Sequence, residues 1–141
     1  MTRSRILATA LAATVLPAWI ACGDDADPPT EPDPDPTPGH LSVSLTTPND
    51  DDGAILLRVD GGPMTSPAAA SSDHAFFFRE TSATSVVVLL AGEIETGALL
   101  EFEVEDVDDA AAYSAEILEV ADRENALRDD LADYALTVEA R

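Results

Sequence analysis

Lysine is absent from this chain, cysteine occurs once, and all seven basic residues are arginine. Against them stand 28 acidic residues, for a formal net charge of -21. A field of that sign repels phosphate backbones and anionic lipid head groups, so it excludes nucleic acid as a partner and electrostatic docking on a membrane. It attracts divalent cations and basic partners, and it keeps an exported protein soluble. One cysteine excludes an internal disulfide. No uninterrupted apolar run approaches the roughly twenty residues of a membrane-spanning helix. No stretch has the pattern of a long crossover helix either, which excludes an α/β fold.

What is present begins with a short basic start, Met1 to Arg5, and an apolar run from Ile6 to Ile20 interrupted by Thr9, Thr14 and Pro17. That is the pattern of a signal peptide, here residues 1–21. The sole cysteine follows in Leu16-Pro17-Ala18-Trp19-Ile20-Ala21-Cys22-Gly23. Ile20-Ala21-Cys22 resembles the lipobox of bacterial lipoproteins. The resemblance implies cleavage before Cys22, acylation of Cys22 with chains such as palmitate, and anchorage to a cell-envelope membrane, the outer one in a cell that has two. Trp19 stands where that family usually has leucine or another aliphatic residue. The competing reading is ordinary secretion, with a cut after Gly23.

Asp24 to Gly39, DDADPPTEPDPDPTPG, lacks large apolar residues and holds most of the ten prolines. Such a segment can bury nothing, so residues 22–39 read as a lipidated cysteine and a disordered acidic linker. Proline stiffness and like-charge repulsion give it a reach of about 3 Å per residue, or roughly 45 Å. A domain anchored by lipid needs such a spacer to stand clear of the surface.

From residue 40 to 141 the pattern changes to β-rich alternation. Leu41, Val43 and Leu45 alternate with Ser42, Ser44 and Thr46, giving one buried face. A turn cluster over Thr47 to Gly53 precedes a second strand, Ala54 to Asp60. Gly61 to Ser72 reads as a long loop. His74 to Glu80 and Thr84 to Leu90 read as the third and fourth strands. The fourth, apolar on both faces, belongs in the middle of a sheet or under a covering element. After a turn over Ala91 to Gly97 comes the fifth strand, Leu99 to Val104, with Leu100, Phe102 and Val104 inward and a row of Glu101, Glu103 and Glu105 outward. Tyr113 to Val120 is the sixth strand, with Tyr113, Ala115 and Ile117 inward. Leu127 and Leu131, four apart, suggest a helical turn within Asp122 to Leu131. Tyr134, Leu136 and Val138 mark a seventh strand. About seven short strands separated by turns imply an all-β fold, an antiparallel β-sandwich.

The segments GALLEFEVED and YSAEILEVADREN are similar to the cohesin pattern of an apolar strand, an acidic turn and a second strand ending in a polar loop. The organisation as a whole resembles immunoglobulin-like and cohesin-like modules of bacterial surface lipoproteins. That resemblance implies a noncatalytic binding or structural module with a protein or carbohydrate partner.

Sequence support for catalysis is thin. His40 lies at the linker junction and His74 at the start of a strand, and no serine stands in a G-x-S-x-G elbow. A secreted or periplasmic enzyme is the alternative from a different class. The sharpest chemical expectation is calcium, held by Asp50, Asp51 and Asp52 of one turn and Asp106, Asp108 and Asp109 of another, because calcium takes six to eight oxygens from carboxylates and carbonyls. The residues around Gly53 do not fit an EF-hand register, so such a site requires the two turns to meet at one end of the sandwich, as in a calcium-stabilised adhesion module. The glutamate row is the wet face of a strand or a docking strip for a basic partner. In His74-Ala75-Phe76-Phe77-Phe78, alternation sends Phe76 and Phe78 to the core side and Phe77 to the other face.

Overall fold

The computed structural model describes residues 35–141. The signal-peptide reading, Cys22 and the acidic linker up to residue 34 lie outside the described residues. Eight strands form: β1 (Gly39–Thr46), β2 (Asp52–Asp60), β3 (Thr65–Ala69), β4 (Ala75–Ser82), β5 (Ser85–Ile94), β6 (Gly97–Val104), β7 (Ser114–Asp122) and β8 (Ala135–Ala140), with a short 3-10 turn at Ala110–Ala112. They make two four-stranded antiparallel sheets, sheet I in the order β3-β6-β1-β8 and sheet II in the order β4-β5-β2-β7. The fold is an all-β sandwich.

Alternation builds its core. Leu41, Val43 and Leu45 of β1 and Phe102 and Val104 of β6 face Ile55, Leu57 and Val59 of β2 and Val86, Val88, Leu90 and Ile94 of β5, all buried. Each such side chain removed from water contributes about 1.5–3 kcal/mol against the entropy of ordering the chain. β5 lies between β4 and β2, the central place that its apolar character on both faces implies.

Local irregularities depart from simple alternation. In β6, Val43 pairs with Leu100 and Ser44 with Ala98, leaving Leu99 as an extra residue, so Leu99 and Leu100 are buried side by side. In β7, Leu56 pairs with Glu119 and Leu57 with Ile117, so Leu118 is the extra residue. That slip reverses the parity of the strand. Ala115 and Ile117 pack against the core from one half, and Val120 is buried from the other.

Four sequence expectations change. The loop expected over Gly61 to Ser72 contains β3, an edge strand where Pro67 costs no ladder bond. The turn expected from Ala91 begins later, because β5 continues to Ile94. Residues 122–131 form no helical turn. The Asp122 carboxylate instead accepts the N–H groups of Glu124 and Ala126, each at 2.9 Å, and Asn125 adopts φ 67°, which reverses the chain so that Leu127 bridges back to Ala121. At the N-terminal boundary, β1 starts at Gly39, and residue 37 is already pinned: its N–H donates to Asp106 Oδ1 at 3.2 Å and its carbonyl accepts the Val107 N–H at 2.9 Å.

Candidate functional site

The six aspartates of the calcium expectation do not converge. Gly39, at the start of β1, pairs with Val104, and Asp106 follows just beyond; Asp50 to Asp52 follow the far end of β1, at Thr46. The two turns therefore occupy opposite ends of the sandwich, and the single site they were expected to build is not formed. Among the described residues no group of three or more His, Cys, Asp or Glu side chains is placed to hold a metal ion.

At the first end, protein groups take the place a cation would have. Asp52 is fully buried. Its carboxylate accepts from Thr47 Oγ1 at 2.6 Å, from the Tyr134 hydroxyl at 3.0 Å and from Arg128 Nε at 3.0 Å. The same guanidinium reaches Asp51 through its Nη2. Burial works against the Arg128 charge, and the hydrogen bonds to Asp52 and Asp51 outweigh it, holding the group further toward its protonated form. Asn49 Nδ2 donates to the Tyr134 oxygen at 2.6 Å, and the Asp50 carbonyl accepts from Arg123 at 2.9 Å. The turn is thus a buried, hydrogen-bonded ion pair that joins the two sheets.

At the opposite end the carboxylates shape their own loop. Asp106 Oδ1 accepts the Asp108 N–H at 3.0 Å as well as that of Thr37, and the Asp109 carbonyl accepts the Ala112 N–H at 2.8 Å. Tyr113 lies beside this loop, its ring 5.6 Å from that of Phe102 and its hydroxyl donating to the Pro63 carbonyl at 3.0 Å. Burial, and behind it the charges of Asp109 and Glu105, push its phenol above the ordinary value near 10.

The histidines stand apart from one another. His40 lies on the outer face of sheet I, where His40, Glu103 and Thr65 share a row across β1, β6 and β3. A groove of about 760 Å³ opens there, walled by Pro36, Pro38 and Pro63 and edged by Glu103 and Glu105. His74 Nε2 donates to the Glu93 carbonyl at 2.9 Å, and Nδ1 is buried with no partner among the described residues. Ser71, in the same loop, accepts the Asp73 N–H through its hydroxyl at 3.2 Å.

In the aromatic cluster of β4, Phe77 faces outward as its parity implies, whereas Phe78, expected on the core side, is half exposed. Phe76 packs partly against the core and stacks near Phe78, ring centroids 5.8 Å apart, but Phe78 is 48% exposed and Phe77 63% exposed. β4 is an edge strand, and no element covers the outer face of sheet II among the described residues. Phe77 pairs with Leu89, itself 38% exposed, and Leu89 with Leu56, so one row of large apolar side chains crosses three strands. Arg79 and Arg58 lie in the next row, either side of Val87. Arg58, Arg123, Arg128 and Arg141 each pair with a carboxylate, whereas Arg79 pairs with none among the described residues. The sequence signal for this surface is Phe77, on the opposite parity from Phe76 and Phe78.

Comparisons with protein families, curated proteins and solved structures find no match to this chain.

Proposed function

We propose that this chain is a lipid-anchored protein of the bacterial cell envelope whose sandwich is a noncatalytic protein-binding module. Cys22 carries the anchor, the acidic proline-rich segment spaces the domain from the membrane, and the outer face and β4 edge of sheet II form the binding surface. The observation that carries the reading is the row of Phe77, Leu89 and Leu56, beside an open sheet edge, on a chain with a formal net charge of -21. Contiguous exposed apolar surface of this kind is kept by soluble domains mainly for partners. Supporting a noncatalytic role, the ring of His74 is tied to a backbone carbonyl, and Asp52, the most buried carboxylate, is consumed by structural hydrogen bonds.

Two experiments test the two halves. Metabolic labelling with an alkynyl palmitate should tag the mature protein and fail to tag Cys22→Ser; an unlabelled wild type with a free N-terminus at Asp24 overturns the anchor. A photo-crosslinking phenylalanine analogue at position 77 should yield protein adducts in cells, whereas the same analogue at Thr137, exposed on the outer face of sheet I, should not. Equal yields at both positions overturn the binding surface.

A further inference from the structure

We propose that the occupant of the β4 edge is the β4 edge of a second copy of this chain, paired antiparallel about a two-fold axis so that sheet II runs on through both molecules. The inference rests on the reading of that edge as the binding surface and goes on to identify what binds.

The four sheet edges are not equivalent. An edge strand presents unpaired N–H and C=O groups and invites pairing unless something blunts it. β3 is short and carries Pro67, with Ser66 at φ 52° and a break in register between Thr65 and Ala68. β7 carries the extra residue Leu118 and the charges of Glu116 and Glu119, and its last turn is covered by the returning segment, where Arg128 N–H reaches the Val120 carbonyl at 2.9 Å. β8 is six residues long with Glu139 next to its last residue. β4 has no proline, no positive-φ residue and no break in register from Ala75 to Glu80, and its two charges, Arg79 and Glu80, fall together at the end of that stretch. It is the least protected edge of the described sandwich.

Charge selects the partner. β4 holds one arginine and one glutamate, Arg79 and Glu80, so it is a neutral strip on a strongly acidic molecule. A basic partner would be drawn to the acidic ends and to the glutamate row of sheet I rather than to the strand carrying the unpaired Arg79. A copy of the same strip brings no net charge to the contact.

Register then follows from geometry. In an antiparallel pair, residues directly opposite share a face of the sheet, so a two-fold pairing must set one residue against itself. Setting Arg79 against Arg79 opposes like charges, which destabilises a cross-strand pair. Setting Phe77 against Phe77 extends the apolar row across both outer faces, places Phe76 opposite Phe78 twice on the inner side, and brings His74 opposite Glu80. Every large apolar group of the strand then meets another, and aromatic cross-strand pairs are among the favourable ones. Pairing is isologous and closes at two copies.

Sedimentation equilibrium of the mature chain carrying Cys22→Ser, over a concentration series at low and moderate salt, tests this. The expected result is a monomer–dimer equilibrium that tightens as salt rises, because salt screens repulsion between two acidic bodies beyond a Debye length of about 10 Å at 0.1 M. Phe77→Glu and, separately, Arg79→Glu should each raise the dimer dissociation constant by about tenfold or more, and Leu127→Glu, an exposed apolar residue elsewhere, should not. Ala75→Cys and Arg79→Cys should cross-link on oxidation when the two variants are mixed. Neither variant should cross-link alone. A monomer at every concentration and salt, or a dimer insensitive to both β4 substitutions, overturns the second copy. If the wild type is monomeric while position 77 still cross-links to a different protein, the binding surface stands and its occupant is another strand; if neither occurs, both readings fall.

Discussion

The hydroxyl of Tyr134 lies 3.0 Å from each carboxylate oxygen of Asp52, and that contact joins the two sheets through a fully buried charge. Asp52 opens β2 in sheet II, and Tyr134 immediately precedes β8 in sheet I. A buried carboxylate survives only when its lone pairs are satisfied, and here Thr47, Tyr134 and Arg128 satisfy them from three separate segments. The end of the sandwich is therefore fixed by direction-specific bonds as well as by apolar packing. Losing Thr47, Tyr134 or Arg128 leaves the buried Asp52 carboxylate short of a partner.

Removing the charge tests this arrangement directly. Asp52→Ala should lower the unfolding free energy by about 3 kcal/mol, the low end for a broken buried pair, since the Arg128 side chain left behind retains 21% exposure and partial hydration. Tyr134→Phe removes one hydrogen bond to a charged group and should cost about 1.5–3 kcal/mol. Urea unfolding at neutral pH measures both. A change within about 0.5 kcal/mol for Asp52→Ala would place the network's contribution at the level of an ordinary surface substitution.

Calcium should leave the thermal midpoint where it is. Asp51 and Asp52 already face the Arg128 guanidinium, and Asp106, Asp108 and Asp109 lie at the other end of the sandwich. A ligand that binds only the folded state raises its stability by RT ln(1 + [L]/Kd), so scanning calorimetry with millimolar calcium and then with chelator is decisive. A rise of several degrees would mean that one of the two loops binds the ion alone.

Tyr113 should make the fold sensitive to alkali. Its phenol is held above the ordinary value near 10 by burial and by Asp109 and Glu105, so the folded chain keeps a proton that the unfolded chain releases. This contribution is fully present below the ordinary value and is lost as the pH rises through the raised one. The chain has two tyrosines, so in Tyr134→Phe the ultraviolet phenolate signal belongs to Tyr113 alone and should titrate above pH 10. Tyr113→Phe should remove that part of the alkaline loss of stability. A Tyr113 midpoint at or below 10 would contradict the buried, acid-flanked environment.

The inward set Leu41, Val43 and Leu45 and the alternation of Glu101 and Glu103 with Phe102 were legible because period two is a direct record of which face meets water. β5 was legible as a central strand for a related reason, its lack of a polar face. β3 was hidden because Pro67 and small residues carry no hydrophobic alternation, and an edge strand needs none. Phe77 was legible as facing away from the core, but Phe78 misled because hydrophobicity reports what could be buried, whereas burial depends on whether another layer extends far enough to cover the strand. Asp52 was the largest miss. It reads as one of three turn aspartates, and only a slip in β2 reveals that it points inward.

That slip can be tested at Gly53. Ile55, Leu57 and Val59 face the core, so uninterrupted alternation would turn residue 53 inward and Asp52 outward. The register skips instead: against β7, with Asp52 opposite Asp122 and Ala54 opposite Ala121, Gly53 is the extra residue, whereas against β5, with Asp52 opposite Ile94 and Ala54 opposite Ala91, Gly92 and Glu93 stand across from it, and Asp52 returns to the interior. Space at that point is closed by backbone: a Cβ on Gly53 would stand 2.8 Å from the Asp122 carbonyl oxygen and 2.9 Å from Arg123 Cα. Neither atom is the end of a flexible side chain, so the strand must shift and carry Asp52 with it. Gly53→Ala should therefore cost about 1–3 kcal/mol, as overpacking does. Part of that loss should vanish in an Asp52→Asn background, where no charge depends on the register. A double-mutant cycle by urea unfolding reads the coupling as non-additivity of about 0.5 kcal/mol or more, and strict additivity would separate the glycine from the ion pair it is argued to position.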